Sequence, residues 1–129
     1  MDRVLAIGMI NCDIAMFPIP ESLDNIDLLR IQPPTYDVGG DATNVAMTLA
    51  KLGKSVSLVG RVGTDVNASL VLNTLKDAGI DIDGVISNPD DVTTTSYHLL
   101  QMNGKHKYVL YSTTMDSLCF EDVTDEQIR

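Results

Sequence analysis

The stretch GGDATNVAMTLAKLGKSVSLVGRVGTD, residues 39–65, decides the fold class of this 129-residue chain. It predicts a glycine-rich turn, an amphipathic helix, a strand and a second polar turn, the order of elements found around a small-molecule site on an α/β sheet. Gly39 and Gly40 have no side chains to keep a ligand away from the peptide N–H groups that precede the helix. Asn44 follows one turn into the helix, so we expect all three residues at one ligand site.

Strand and helix alternate along this part of the chain. The first helix carries apolar residues three and four positions apart, and it is predicted to begin at the N-cap Asp41 and to end at Gly53. A strand at residues 55–59, a helix at about 66–78 and a short strand at 84–87 follow. The alternation predicts a parallel sheet with right-handed crossovers.

The strand before the quoted stretch covers residues 4–10, VLAIGMI. Its continuous apolar run is typical of a strand that is buried on both faces at the centre of a parallel sheet. Asn11 and Asp13 follow it, at the end where open α/β sheets bind ligands. A turn or capping role accounts equally well for short polar residues at these positions.

Two further segments predict a second, smaller sheet. Residues 17–36 contain four prolines and are too long for a plain strand-to-helix connection, which takes about 2–6 residues. At the end of this segment, residues 31–38 suit an edge strand. Residues 93–113 hold two β-rich runs around Asn103-Gly104, the signal of a two-residue type I′ hairpin. We expect these segments to form a small antiparallel β lid over the ends of the parallel strands.

Charge and composition exclude several classes of partner. The formal net charge is −9 and the pI is about 4.3, so nucleic acid and anionic membranes are expected to be repelled. No apolar run approaches the roughly 20 residues that span a bilayer, and a signal peptide is not evident. We therefore expect a cytoplasmic protein.

The cysteines and histidines predict neither a disulfide nor a metal site. Cys12 and Cys119 are too few and too far apart for a disulfide framework, and both are expected to be reduced and buried. His98 and His106 lack cysteine or carboxylate neighbours at the spacing of metal ligands.

The last residues carry a helix-start signal. Residues 124–127, TDEQ, match a capping box, with Thr124 at the cap and Gln127 three residues later. Because the chain stops at Arg129, we expect it to be one part of a longer polypeptide.

Taken in order, these motifs match one known family. They are GMINCD at 8–13, GGDATN at 39–44, LG at 52–53, VGRVGTD at 59–65 and the segment 75–80 with its Gly79. The set resembles the N-terminal portion of the ribokinase-like (PfkB) carbohydrate kinases over essentially the whole chain. The resemblance implies a ribokinase-like α/β fold, with a partial parallel Rossmann-like sheet, flanking helices and a β lid at about residues 12–38 and 93–113.

The resemblance also implies a sugar site between the sheet and the lid. The residues that match the family's sugar-binding positions are Asn11, Asp13, Gly39, Gly40 and Asn44, and the loose match of the hairpin adds His98 and Leu100. The sugar is the implied small-molecule partner, and a homodimer through the β lid is the implied assembly.

For the parent protein the resemblance implies an ATP-dependent carbohydrate kinase that uses Mg²⁺. The family's Gly-Ala-Gly-Asp element, whose Asp is the catalytic base, has no counterpart in this chain, and neither does the ATP pocket. The C-terminal ATP-binding and catalytic part is therefore absent, no catalytic residue is assigned here, and the 129 residues are expected to be inactive alone.

Three alternatives remain open. The first is a nucleoside kinase of the same family, and the second is a free-standing, non-catalytic module for polyol binding or dimerisation. A Rossmann dinucleotide-binding domain is the weakest, because no G-x-G-x-x-G occurs and the glycine pair does not directly follow the first strand.

Overall fold

The structure is a computed structural model that describes residues 3–129. Seven strands and three α-helices follow one another along the described part of the chain. In chain order they are β1 (Arg3–Ile7), β2 (Asn11–Ile19), β3 (Thr35–Gly39), α1 (Asp41–Lys51), β4 (Ser55–Val62), α2 (Val66–Asp77), β5 (Val85–Ser87), β6 (Thr95–Gln101), β7 (His106–Tyr111) and α3 (Asp125–Ile128).

Three strands form the predicted parallel sheet, in the order β1-β4-β5. The predicted central position of the first strand is wrong for the described residues, because β4 is central and β1 lies at an edge with Ile7 46% exposed. An apolar run alone does not distinguish a central strand from an edge strand. The strand also ends at Ile7 rather than Ile10, and residues 8–10 lead the chain into the other sheet.

The two long helices bury their apolar faces against strands of both sheets. α1 packs on β1 and β4, and α2 packs on β2 and β3. Leu58, Val71 and Leu75 are fully buried at the centre of the core, which continues into the second sheet through Cys12. One hydrophobic core therefore holds the two sheets together.

The start of α1 differs by one residue from the prediction. Gly40 is the N-cap, and Asp41 is the first helical residue. The Asp41 Oδ1 atom accepts hydrogen bonds from the amides of Ala42, at 2.7 Å, and Met9, at 2.8 Å. The carboxylate thus satisfies one free amide of the first turn and joins the helix to the loop after β1.

The remaining four strands form the second sheet, in the order β3-β2-β6-β7. The β2–β3 and β6–β7 pairs are antiparallel, as predicted, but β2 and β6 are parallel, so the sheet is mixed. The physical reason lies in the first sheet. Because β1 and β5 run in the same direction there, the segments that follow them leave from the same end and continue side by side.

The hairpin forms at Asn103-Gly104, but its turn is not the predicted type I′. A type I′ turn needs a positive φ at both central residues. Gly104 has a φ of 83°, but the φ of Asn103 is not positive. The Gly104 amide donates to the Gln101 carbonyl at 3.1 Å, and the Gln101 amide donates to the Lys105 carbonyl at 2.9 Å. This is a three-residue loop whose last residue is left-handed. It sets the register in which His98 lies opposite Tyr108.

Asp65 joins α2 to the segment that precedes β6. Its Oδ1 atom caps α2 by accepting the Ala68 amide at 2.8 Å and also accepts the Thr93 hydroxyl at 2.7 Å, while Oδ2 accepts the Thr93 amide at 2.9 Å. Partial burial disfavours the charged carboxylate, but the hydrogen bonds from Thr93 and Ala68 outweigh it and lower the pKa of Asp65 below its ordinary 3.8.

Replacing Asp65 by asparagine is expected to lower the free energy of unfolding at pH 7 by about 1 kcal/mol, because neutral hydrogen bonds replace charge-assisted ones. The folded-state pKa is depressed, so the stabilisation is complete above about pH 4 and is lost as the pH falls through the folded pKa. Urea unfolding at several pH values should show the difference between wild type and variant closing below pH 4. The exposed Asp90 replaced by asparagine is the control, and a difference that persists at pH 2 would contradict the assignment.

The end of the chain confirms the predicted capping box. The Thr124 amide donates to Gln127 Oε1 at 2.7 Å, the Gln127 amide donates to Thr124 Oγ1 at 3.3 Å, and α3 begins at Asp125. Cys12 is buried and free as expected, whereas the free Cys119 is exposed, contrary to the prediction. Across residues 3–129, every helix is too short or too polar to cross a membrane.

Candidate functional site

The candidate site lies where the two sheets meet, at the start of β2. Asn11 and Asp13 are the first and third residues of β2, so they belong to a strand of the second sheet and not to a loop at the end of the first strand. Asn11 pairs with Gly39, the last residue of β3, and Gly40 then begins α1. Four of the predicted residues are therefore neighbours at the junction of β2, β3 and α1, namely Asn11, Asp13, Gly39 and Gly40.

Asn11 presents a buried acceptor at this junction. The residue is 7% exposed, and its Nδ2 atom donates weakly to Asp13 Oδ1 at 3.4 Å. The Oδ1 atom of Asn11 is buried and has no hydrogen-bond partner among residues 3–129. Such an acceptor costs free energy unless a donor reaches it. A ligand hydroxyl is a donor of suitable size.

The two glycines are required for different reasons. A Cβ at Gly39 would overlap the carboxylate of Asp13. Gly40 has a φ of 98° and a ψ of 152°, a combination that only glycine adopts readily. A Cβ there would also collide with the Met9 carbonyl and lie 3.1 Å from the Asn11 Oδ1 atom. Both positions therefore keep the surroundings of Asn11 and Asp13 open.

His98 approaches the same carboxylate from the neighbouring strand. Its Nε2 atom lies 3.7 Å from Asp13 Oδ1, and the two side chains are 26% and 24% exposed. The distance is too long for a hydrogen bond, but it permits an ion pair when the imidazole is protonated. On the other side, the His98 ring meets the ring of Tyr108 nearly edge-on, with centroids 4.7 Å apart and an interplanar angle of 87°.

Two predicted residues lie outside this cluster. Leu100 is partly buried, two residues beyond His98 on the same face of β6. Asn44 is in the first turn of α1 with an exposed side chain. The structure therefore groups five of the seven predicted residues by direct contact or close approach, namely Asn11, Asp13, Gly39, Gly40 and His98. Their role in sugar binding stays a prediction.

The face of the second sheet that carries these residues, here called the inner face, has a distinct charge pattern. Asp13 lies directly opposite Asp37 in the β2–β3 ladder. The strand registers place Thr35, Asp37, Gly39, Asn11, Asp13, Ala15, Ser96, His98, Leu100, His106, Tyr108 and Leu110 on this face. Within the four strands it therefore holds two carboxylates, two histidines and no lysine or arginine. Such a face suits a ligand that donates hydroxyl protons.

Metal binding and a neighbouring cleft complete the description. Among residues 3–129, no group of three or more histidine, cysteine, aspartate or glutamate side chains is arranged to hold a metal ion. An open cleft of about 320 Å³ borders the start of α1, lined by Gly8, Met9, Asp41, Thr114, Met115 and Leu118. Met9 connects it to the cluster, because its carbonyl is the atom that a Cβ at Gly40 would strike.

Comparison with protein families gives a match over residues 1–127 to the pfkB family carbohydrate kinases. The chain belongs to this family. The match covers both sheets and the whole candidate site, so the resemblance seen in the motifs at 8–13, 39–44 and 59–65 is confirmed.

Two curated relatives illustrate the range within the family. The ATP-dependent ribose-1-phosphate kinase of Halopiger xanaduensis is 31% identical over 131 residues, which cover 100% of this chain and 43% of the relative. The probable fructokinase-6, chloroplastic, of Arabidopsis thaliana is 30% identical over 84 residues, 65% of this chain and 22% of the relative. The chain thus spans less than half the length of these curated relatives.

Solved structures confirm the predicted fold class. Fructokinase from Xylella fastidiosa with bound ATP aligns with a TM-score of 0.79 and 21% identity, over 96% of this chain and 38% of that one. Fructokinase from Halothermothrix orenii aligns with a TM-score of 0.75 and 26% identity, over 92% of this chain and 40% of that one. The pfkB chain therefore has a partial ribokinase-like α/β fold, with a parallel sheet, flanking helices and a separate mixed sheet.

The site contains one residue that sequence reasoning missed. Tyr108 was not among the predicted site residues, although it contacts His98. Its alternation with His106 and Leu110 along β7 could have marked it, but only with the register of the hairpin known.

Proposed function

We propose that this chain is the sugar-binding N-terminal portion of an ATP-dependent carbohydrate kinase, which transfers a phosphoryl group from ATP to a sugar hydroxyl. The observation that carries the proposal is the junction of β2, β3 and α1. There an Asn11 Oδ1 atom that is buried and has no partner in the described part of the chain, the Asp13 carboxylate and two obligatory glycines come together.

Each group has a defined task in this proposal. Asp13 accepts sugar hydroxyl protons in charge-assisted hydrogen bonds, and Asn11 accepts a further hydroxyl. Gly39 and Gly40 keep the space beside Asp13 and Asn11 open to the sugar, because a Cβ at either position would approach those side chains. Asn44 contributes from α1. His98 and Leu100 form the wall on the second sheet, which acts as the lid.

The charge of the inner face favours a neutral sugar over a phosphorylated one. Asp13 and Asp37 lie on it, and lysine and arginine are missing from its strand positions. A phosphate group beside two carboxylates would be repelled, and arginine is the residue that usually compensates such a charge.

ATP and Mg²⁺ are proposed to bind mainly outside residues 1–129, in the parent enzyme. The Xylella fastidiosa fructokinase and a sugar kinase from Pyrococcus horikoshii were each solved with ATP, and this chain covers 38% and 39% of those two chains. Phosphoryl transfer requires nucleotide, metal and acceptor in one site. The chain alone is therefore expected to bind sugar without turnover, and its proposed compartment is the cytoplasm.

The test compares the complete encoded protein with the 129-residue chain. Both are assayed for ATP-dependent ADP release with D-ribose, D-fructose, ribose 1-phosphate and adenosine, and for binding by calorimetry. The proposal expects turnover of a neutral sugar by the complete protein only. A preference for adenosine would support a nucleoside kinase instead. Binding without turnover in both proteins would support a non-catalytic module and overturn the kinase proposal.

A second proposal concerns assembly. The opposite face of the second sheet, here called the outer face, carries exposed apolar side chains on β3, β6 and β7. Tyr36, Tyr97, Val109 and Tyr111 are 53%, 36%, 53% and 51% exposed, and the strand registers place them on this face. Contiguous exposed apolar surface of this kind marks an interface. We propose that a second copy of the chain packs against it.

Replacing Tyr111 by aspartate is expected to convert a dimer into a monomer, because a charge would then be buried in the apolar interface. Light scattering across a range of protein concentrations measures the mass. Phe120→Asp is the matched control, since Phe120 is 85% exposed and lies outside the sheet. A wild type that is monomeric at all concentrations would contradict the interface.

A further inference from the structure

Tyr108 occupies a defined place on the inner face. It lies directly opposite His98 in the β6–β7 ladder. Its ring meets the His98 ring with centroids 4.7 Å apart and an interplanar angle of 87°, and it meets the His106 ring at 4.9 Å and 65°. Edge-to-face contacts of this kind are the preferred geometry of aromatic pairs. The ring of Tyr108 is therefore held between two imidazoles.

His98, which contacts Tyr108, also lies close to Asp13. The Nε2 atom of His98 lies 3.7 Å from Asp13 Oδ1. Asp13, His98 and Tyr108 thus form a chain of neighbours that crosses from β2 through β6 to β7. In its observed orientation the imidazole of His98 is close to Asp13 and in contact with Tyr108 at the same time.

Tyr108 does not belong to the hydrophobic core, so core packing does not explain an aromatic residue at this position. The residue is 60% exposed, and β7 is the last strand at one edge of the sheet. All six residues of β7 are exposed. An aromatic ring at such a position stabilises the fold little, so its effect on the neighbouring imidazole is its main local consequence.

We propose that Tyr108 is a positioning residue for sugar binding, which holds the His98 imidazole beside the Asp13 carboxylate. The inference rests on the proposed function, in which Asp13 binds sugar hydroxyls and His98 lines the same site. Tyr108 itself need not touch the sugar. It limits the orientations of His98, so that this side chain is already in place when the sugar binds.

The experiment uses the complete encoded protein and whichever of D-ribose or D-fructose the wild type phosphorylates with the higher kcat/KM. Tyr108→Ala is expected to raise KM by about 3- to 10-fold, as the loss of one aromatic pair implies, with kcat within about twofold. Tyr108→Phe keeps the ring and should restore the wild-type KM. Lys105→Ala, at an exposed position between β6 and β7, is the control and should leave KM unchanged.

A double-mutant cycle separates positioning from a general structural role. In a His98→Ala background, Tyr108→Ala is expected to change KM no further, because the residue on which it acts is gone. An equal increase in KM in both backgrounds would overturn the inference. So would a Tyr108→Phe variant that behaves like Tyr108→Ala, since the hydroxyl and not the ring would then be responsible.

The failures of the two proposals can be told apart. If Asp13→Ala weakens sugar binding and Tyr108→Ala does not, the positioning role is wrong and the proposed function stands. If neither variant changes KM or kcat, the assignment of the sugar site itself is wrong. A fall in the thermal unfolding midpoint of Tyr108→Ala together with equal losses in kcat and kcat/KM would overturn the positioning role in favour of a structural one.

Discussion

If the proposed function holds, Asp13→Ala in the complete encoded protein is expected to lower kcat/KM for the sugar by about 10- to 150-fold for each sugar hydroxyl that donates a hydrogen bond to the carboxylate. The range follows from the roughly 1.5–3 kcal/mol of a hydrogen bond to a charged group, at about 1.4 kcal/mol per tenfold. Asp13 is the residue that the other site groups approach, since Asn11 Nδ2 lies 3.4 Å and His98 Nε2 3.7 Å from its Oδ1 atom. Steady-state kinetics with the best sugar of the panel measures the loss.

Asp37→Ala provides a matched control for Asp13→Ala. Asp37 lies directly opposite Asp13 on the same face, but its side chain is exposed, and within residues 3–129 it accepts only the amide of the next residue, Val38, at 2.8 Å. Both variants remove one carboxylate from the inner face and change the net charge equally. If the two variants lose activity to the same extent, the effect is one of overall charge, and the specific role of Asp13 is wrong.

Gly40→Ala is expected to lower the free energy of unfolding by about 3 kcal/mol or more, a large part of the roughly 5–15 kcal/mol of a typical domain. Two costs add together. The φ of 98° and ψ of 152° lie in a region that is almost confined to glycine, and the new Cβ would collide with the Met9 backbone carbonyl. The backbone of α1 or of residues 8–10 must move, and this movement disturbs the site. Urea unfolding followed by circular dichroism measures the change.

Gly53→Ala separates the two costs. Gly53 also has a positive φ, 76°, but a Cβ there would meet no atom of residues 3–129 within 4 Å. Its replacement should therefore cost only the conformational part, about 1–2 kcal/mol. Equal destabilisation by Gly40→Ala and Gly53→Ala would show that the collision with Met9 is relieved at no cost, contrary to the expectation.

Local sequence signals predicted most of the individual elements. The helix expected at about 66–78 is observed at Val66–Asp77, the strand at 84–87 is observed at Val85–Ser87, and the capping box at Thr124 is present. These elements depend on the spacing of apolar residues and on caps, which are properties of a few consecutive residues. The N-cap of α1 was predicted at Asp41 and is observed one residue earlier, at Gly40.

The candidate site was predicted in part. Asn11, Asp13, Gly39 and Gly40 were expected to be neighbours, and they are. The placement of Asn11 and Asp13 within a strand of the second sheet was not expected, because the break between β1 and β2 at residues 8–10 falls within an apolar run. His98 and Asp13 were expected to line the same ligand site, but no contact between them was predicted. The 3.7 Å between His98 Nε2 and Asp13 Oδ1 depends on the parallel pairing of β2 with β6.

The hairpin loop between β6 and β7 is one residue longer than predicted, and this difference decides which side chain lies opposite His98. A two-residue loop at Asn103-Gly104 would place Val109 opposite His98. The three-residue loop with Gly104 in a left-handed conformation places Tyr108 there instead. Because side chains alternate between the faces of a strand, a shift of one residue exchanges the two faces of β7. Tyr108 is on the inner face for this reason alone.

By itself, the sequence determined the family, the alternation of strands and helices, and the glycines and polar residues that mark the site. These features are encoded in short, ordered motifs such as residues 39–44 and 59–65. The tertiary structure alone decided that β1 lies at an edge, that the second sheet is mixed, and that Tyr108 contacts His98. Strand order and register depend on hydrogen bonds between residues far apart in the chain, and local patterns of polarity leave several such pairings equally open.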